Sequence, residues 1–322
     1  RDCLLSRGLG DVYKRQVIER LTADKKRPAV HTYNATLNSF TKFFGGQGTE
    51  EMLVTDVFTA GKLKEYEAWL RSRNASWNTV STYMRVLKAV YNRLVEAKRL
   101  TYDARLFDSV YTKVEAQSKR SLTEEQMNTL LHTDFEKLPE DVQNVLAYFL
   151  LMFLFRGMPF IDMAYLRKQD LKEHCITYCR HKTGKKMVVR IPHEATALFE
   201  KCRNKKTDSG YLFPILDETT ENDKKLYENY RQALRTFNRK LAKMAALLLP
   251  GTNISSYTAR HTWATLAFYS GIPIGIISKA LGHSSIKVTE TYLKPFENEK
   301  VDAANDELIM SVVKRSKEKI VA

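Results

Sequence analysis

Apolar residues fall at Tyr33, Leu37, Phe40 and Phe44, three or four positions apart, after Arg27-Pro28 and before Gly45-Gly46. That spacing puts all four on one face of a helix that the proline opens and the glycines stop. The pattern recurs from about Thr59 through Leu63, Tyr66, Trp69 and Leu70. It returns after Asn78, with Tyr83, Leu87, Val90, Tyr91 and Leu94 on one face and Ser81, Arg85, Lys88 and Asn92 on the other. Residues 17–113 thus read as a small helical domain. Between Val114 and Arg120 the stretch Glu-Ala-Gln-Ser-Lys holds no large apolar residue, so 114–120 reads as a linker. Thr123-Glu124-Glu125-Gln126 follows as a capping box that starts a new helix.

Beyond this boundary Val142, Val145, Leu146, Phe149, Leu150 and Phe153 predict a very apolar helix ending at Arg156-Gly157. A lone charge there is costly to bury. Arg156 therefore pairs with Asp162 as scaffolding or waits at a cleft for an anion, and both readings stand open. The period then changes. Ile176 to Arg180 and Met187 to Ile191 are short β-prone runs around His181-Lys182-Thr183-Gly184-Lys185-Lys186, which predicts a hairpin with glycine at its turn. From His193 to Leu249 the pattern is helical again, broken by Tyr211-Leu212-Phe213-Pro214.

The last module is the most legible. Ser255 or Ser256 is positioned to cap a helix holding Tyr257, Arg260, His261, Ala264 and Phe268. Gly271-Ile272-Pro273 breaks and restarts the chain, Ile274, Ile277 and Leu281 pack inward, and Gly282 stands where a helix C′ residue belongs. His283 then lies just past a helix end, and Ser284 or Ser285 caps a short helix carrying Tyr292 and ending before Pro295. The fold class expected is mainly α with a small β-hairpin. In the region after Pro295, 301–313 is helix-prone, with Leu308, Ile309, Val312 and Val313 as an apolar strip for a neighbouring protomer or for its own domain.

Composition sharpens this picture. The chain of 322 residues is 43% hydrophobic, enough for two cores, and carries a formal charge of +15. Arg231, Arg235, Arg239 and Lys243 recur every fourth residue as one basic stripe on a helix. Like charges at that spacing cost helix stability unless an anion neutralises them, and a phosphate backbone is the obvious anion. The polar face with Arg85 and Lys88, near Arg71, Arg73 and Lys42, is a second surface for DNA. Val145 to Phe155 is interrupted by Arg156 and too short to span a bilayer, and no signal peptide is evident, so a soluble, cytoplasmic protein without membrane contact is expected. Cys3, Cys175, Cys179 and Cys202 form no paired framework, and with His174 and His181 they match no common zinc spacing. Residues 1–16 lack a starting methionine and resemble translated sequencing-adaptor read-through, which implies a non-native leader; a floppy basic arm is the alternative.

A tyrosine, arginines and a histidine in this arrangement suit phosphodiester chemistry, and the motifs that carry them resemble the tyrosine recombinases of the phage-integrase family over residues 17–300. In that resemblance Arg156, in Leu154-Phe155-Arg156-Gly157, matches the first catalytic arginine. Lys182, in His181-Lys182-Thr183-Gly184, matches the hairpin lysine, with Lys185 and Lys186 as the residues to confuse with it. Arg260 matches the arginine of an H-x-x-R motif, His283 the histidine of L-G-H, and Tyr292 the nucleophile. Two departures stand out. Tyr257 occupies the place of the usual histidine and is a poor base, since a phenol titrates near pH 10. The segment from Arg156 to Asp170 is about one helical turn longer than usual, which offers Asp162 the arginine-orienting role.

The resemblance implies a SAM-like core-binding domain at 17–113, a catalytic domain at 121–295, and a tail at 296–322 able to exchange with a neighbour. It implies site-specific cutting and rejoining of DNA through a 3′-phosphotyrosyl bond, without cofactor or metal, by a homotetramer on two DNA sites. Accessory DNA-bending or directionality factors and a home on a mobile element, as in integrases of conjugative transposons, are further implications. A type IB topoisomerase-like enzyme and a catalytically impaired DNA-binding relative are the alternative readings.

Overall fold

Helices and one small sheet make up the described residues of the computed structural model, which are 17–24, 27–45, 54–113, 121–216, 222–293 and 301–310. The leader 1–16, the linker 114–120, Pro295, Val312 and Val313 lie outside them. The chain divides into two units, 1–117 and 118–322.

The first unit contains α1 (Arg20–Ala23), α2 (Arg27–Phe43), α3 (Val54–Val57), α4 (Ala60–Ser72) and α5 (Trp77–Glu96). Two of these start where a hydroxyl satisfies an orphan amide: Lys62 N donates to Thr59 Oγ1 and Thr79 N to Ser76 Oγ, each at 3.2 Å. Phe40, Leu63, Tyr66, Leu70, Met84, Leu87, Val90 and Leu94 close the core. Phe40 meets Tyr66 edge-on at 4.9 Å between ring centroids. Arg85, Lys88 and Asn92 are exposed as their spacing predicts, but Ser81 is fully buried. Helical period alone does not report which side of a helix a neighbour crowds, and a small serine suits a close approach.

The second unit begins with α6 (Glu124–Leu131), whose capping box of Thr123 and Gln126 is formed. Then come α7 (Glu140–Leu154) and α8 (Phe160–Tyr165), followed by β1 (Leu171–Lys172), β2 (Cys175–Cys179) and β3 (Lys186–Arg190). The strands pair antiparallel in that order, with Ile176 opposite Val189 and Tyr178 opposite Met187. The hairpin of the sequence pattern is β2 and β3. The two-residue β1 is an addition, too short for alternation to reveal. The 193–249 stretch is less helical than its pattern suggests: α9 covers only Thr196–Cys202, and a non-helical passage precedes α10 (Asp223–Leu248). In that passage Leu212 N donates to Leu166 O at 2.8 Å, and Arg167 stacks on Tyr211 at 3.8 Å, so it is pinned without helix.

Leu146, Phe149, Phe155, Phe213, Phe237, Leu241 and Met244 form the main core of this unit, with Phe160 stacked on Phe237 at 4.4 Å. A smaller cluster of Ala264, Ile277, Leu281 and Leu293 joins α11 (Thr258–Tyr269), α12 (Ile274–Leu281) and α13 (Ile286–Glu290). Leu122 N donates to the buried Thr262 Oγ1 at 2.9 Å and so ties the start of the unit to α11. Residues 301–310 are helical, and Val301, Leu308, Ile309 and Met310 on them are exposed. No helix among the described residues is long and apolar enough to cross a membrane.

Leu241 is fully buried where α10 meets the core. Leu241→Ala is expected to cost about 2–5 kcal/mol in chemical denaturation of the second unit, from lost transfer energy and the cavity left behind. A loss below about 1 kcal/mol would contradict this packing.

Candidate active site

The site assembles around a buried arginine. Arg260 occupies the first turn of α11 and is only 2% exposed. The expected serine caps are absent: Tyr257 is the N-cap residue in a helical conformation without a side-chain cap bond. Instead Ser255 N donates to Thr258 Oγ1 at 3.0 Å and Ser256 N to Asn238 Oδ1 at 2.8 Å, so α10 holds the helix entry in place of a local serine. Arg260 Nη1 donates to Gly157 O at 2.9 Å, and Nη2 donates to Leu281 O and, at 3.1 Å, to His283 Nε2. Its Nε has no hydrogen-bond partner among the described residues. An N–H enclosed without an acceptor costs stability.

Arg156 and Gly157 follow α7 with φ of 60° and 66°, both left-handed. Such strain in a non-glycine residue persists only where surroundings impose it. Gly157 explains the need, because a Cβ there would stand 2.9 Å from Arg260 Cα. The turn aims the half-buried Arg156 at β3, where Nη1 makes a long 3.4 Å contact with Val188 O. Asp162, the partner considered for Arg156, pairs instead with Arg180: Nε lies 3.4 Å from Oδ2, and both side chains are almost wholly buried. Strand alternation from Ile176 and Tyr178 points Arg180 inward toward α8, whereas the left-handed turn carries Arg156 away from it.

Tyr292 lies in the turn just after α13, not on it, with its N donating to Thr289 O at 2.9 Å. Ser285 is the N-cap of α13 but makes no cap bond. The Tyr292 ring is 4.8 Å from that of His261 and 4.7 Å from that of His283, and its hydroxyl is 2.8 Å from the Tyr257 hydroxyl. The guanidinium carbon of Arg260 is 5.7 Å from the same ring.

The His283 tautomer follows from its partners. Arg260 can only donate, so Nε2 accepts, and Nδ1 carries the proton toward Thr289 Oγ1 at 2.9 Å. Burial first, then the cations Arg260, Arg180, Lys182 and Lys185, lower the imidazole to about 4, so it is neutral at pH 7. Burial first, and then the hydrogen bond with Tyr292, raise the Tyr257 phenol to about 12. Tyr257 is thus a donor at neutral pH. Burial also lowers Arg260 and raises Asp162, the latter against His181 N–H and Arg180.

On the hairpin turn Lys182 is exposed, Gly184 has φ of 67°, and Lys185 Nζ reaches His283 O at 3.1 Å. Lys186 is exposed at the start of β3. On α10, Arg235 and Arg239 are exposed and Arg231 is half-buried, while Lys243 pairs with Asp141 at 3.1 Å. Lys88, on the first unit, stands over the Phe107 ring at 5.7 Å. No group of three or more potential metal ligands occurs among the described residues. Sequence reading passed over Thr289 and Arg180. The alternation of β2, continued one step, was a signal for Arg180.

A tyrosine hydroxyl set beside a buried guanidinium suits direct attack on a phosphodiester, and on this fold it marks a tyrosine recombinase. Residues 120–299 match the phage integrase family and residues 12–105 its SAM-like domain, so the chain belongs to the phage integrase family. It is 26% identical over 243 residues to the tyrosine recombinase XerA of Pyrococcus furiosus, covering 73% of this chain and 76% of that protein. It is 28% identical over 257 residues to transposase B from transposon Tn554 of Staphylococcus aureus, covering 72% of this chain and 38% of that protein. Among solved structures, the Tn1549 transposon integrase in complex with a circular intermediate DNA superposes with a TM-score of 0.61 at 16% identity, covering 92% of this chain and 98% of that one. A lambda integrase dimer bound to a COC′ core site gives 0.59 at 15% identity, covering 84% and 93%.

Gly157→Ala is expected to push on the Arg260 backbone and slow covalent attachment to nicked DNA by about 10- to 100-fold, read in single-turnover assays beside a thermal melt. An unchanged rate would show that Arg260 tolerates the displacement. A second expectation concerns pH. The folded His283 binds its proton less readily than the unfolded value of 6.5, near 4. Unfolded chains therefore hold more protons between these values, and stability falls as pH drops from about 6.5 to about 4. Melting temperature against pH should fall less steeply over that window in His283→Gln than in the unsubstituted chain. Parallel curves would contradict a neutral buried His283.

Proposed function

We propose that this chain is a site-specific DNA recombinase of a mobile genetic element, cutting and rejoining DNA through a 3′-phosphotyrosyl bond. The observation that carries the reading is the convergence of Tyr292, Arg260 and His283 from three separate segments, with the Tyr257 and Tyr292 hydroxyls 2.8 Å apart. Tyr292 Oη attacks phosphorus, the bond to the 5′-oxygen breaks, and a second 5′-hydroxyl later reverses the step, with no need for ATP. Arg260 and Arg156 hold the non-bridging oxygens as charge builds on them. Tyr257 donates a hydrogen bond to the phosphate. Lys182 gives a proton to the departing 5′-oxygen, with Lys185, already against the His283 loop, beside it.

The nucleophile's own proton needs an acceptor, and Tyr257 is not one. His283 is neutral, and its Nε2 lone pair is engaged by Arg260. A phosphate oxygen that takes the Arg260 N–H releases that lone pair beside Tyr292, so substrate binding itself frees the base.

In the second unit the Arg231, Arg235, Arg239 and Lys243 stripe and Lys186 contact DNA; in the first the Arg85 and Lys88 face does so, with residues 17–113 acting as a core-binding domain. Among fold relatives, the Tn1549 integrase is bound to a circular intermediate DNA and lambda integrase to a Holliday junction as a tetramer. Those states support a homotetramer on two duplexes here, with the exposed apolar residues of the helix at 301–310 available to a neighbouring protomer.

A nicked suicide duplex from the DNA flanking the gene tests this directly. The unsubstituted chain should form a covalent adduct in excess chelator, and Tyr292→Phe should bind the duplex equally well without forming one. An adduct with the phenylalanine variant would sink Tyr292 as nucleophile, and a chelator-sensitive cut would point to a metal nuclease.

A further inference from the structure

The turn that carries Lys182 and Lys185 is exposed, and its position must be imposed from its base. Arg180 is that base. Its backbone N donates to Lys185 O at 2.9 Å, and its carbonyl accepts from Gly184 N at 2.8 Å and from Thr183 N at 3.3 Å, which closes the turn. Its side chain is 6% exposed. Nη1 donates to Leu281 O at 3.1 Å and to Gly282 O at 3.2 Å, while Nε faces Asp162 Oδ2. Asp162 Oδ1 in turn accepts from His181 N at 2.9 Å, pinning the residue next to Lys182. Leu281 O also receives Arg260 Nη2, so one carbonyl joins the phosphate clamp to the hairpin. Gly282 lets the two approach, since a Cβ there would stand 2.9 Å from Arg180 Cδ and 2.7 Å from Met187 Sδ.

We infer that Arg180 is a positioning residue for strand cleavage: through Asp162 and the Leu281-Gly282 carbonyls it sets where the hairpin lysine stands relative to Tyr292 and Arg260. The inference rests on the phosphotyrosyl reading above. As Tyr292 Oη bonds to phosphorus and the P–O5′ bond breaks, the leaving oxygen needs a proton. A displaced hairpin delivers it poorly, while Arg260 keeps Gly157 O and His283 Nε2 and the nucleophile stays beside it.

That division is measurable with two nicked duplexes, one with the ordinary bridging 5′-oxygen and one with sulfur in its place. The sulfur leaves as a thiolate and needs no proton. Arg180→Ala should slow adduct formation on the oxygen duplex by about 10- to 100-fold, since a misplacement of about 1 Å costs up to about 100-fold. On the sulfur duplex it should return close to the unsubstituted rate, as should Lys182→Ala or Lys185→Ala, whichever removes the acid. Arg180→Lys should recover part of the loss on oxygen. Equal slowing on both duplexes would overturn the inference, because it would show a role in the clamp or in folding alone. Should Arg180→Ala show no melting transition, Asp162→Asn, which keeps the shape and removes the charge, is read by the same comparison. An unsubstituted chain that forms no adduct on either duplex would instead overturn the phosphotyrosyl reading.

Discussion

The second unit is organised by the need to satisfy one charge that it buries. A guanidinium shut away from water must be given acceptors, and Arg260 finds them in Gly157 O, Leu281 O and His283 Nε2. Each acceptor constrains a different part of the chain. Gly157 O is presented by a left-handed pair of residues after α7. Leu281 O is one of the carbonyls orphaned at the end of α12, where the helix dipole is negative and cations are favoured. Gly282, left-handed at φ of 68°, turns the chain so that His283 follows within reach. Satisfying a single arginine therefore brings α7, α11, α12 and the loop before α13 to one place.

The same arrangement sets the electrostatics. Burial first, and then Arg260, Arg180, Lys182 and Lys185, keep His283 neutral, while the buried Asp162 faces Arg180 and the His181 N–H. The result is a cluster of donors: a buried guanidinium, a phenol that keeps its proton, and lysines on a turn. On the proposed function, an incoming phosphodiester would supply negative charge to groups already in place, so that little reorganisation accompanies its arrival. Holding donors in advance costs stability, which the apolar packing of α7, α10 and α11 offsets.

How much of this was legible in the sequence depends on the kind of information each feature needs. Amphipathic helices declare themselves by period, so α2, α4, α5 and α7 could be read from apolar spacing, α10 from its four-residue basic stripe, and the hairpin from two β-prone runs around a glycine. Ser81 shows the limit of period, since burial on the flank of a helix depends on a neighbour. The expected serine caps of α11 and α13 are not formed: α11 takes Tyr257 as its N-cap, past both serines, and Ser285 stands at the N-cap of α13 without a cap bond. The Asp162 alternatives were left open by sequence and resolved by direction, because an inward strand residue meets α8 and a left-handed turn does not.

The order of residues by itself determined the chemistry on offer. Tyrosine, two arginines, histidine and hairpin lysines stand in motifs whose spacing places each at a helix end, first turn or loop, and the local backbone follows from glycine, proline and apolar period. Only the tertiary structure decided which of them touch. It set Tyr292 against Tyr257 and His283, gave Arg180 rather than Arg156 to Asp162, and made one carbonyl at Leu281 serve two arginines. Those outcomes turn on ångström distances between segments far apart in the chain. Local spacing specifies directions along an element, whereas the close packing of a core specifies the distances between elements.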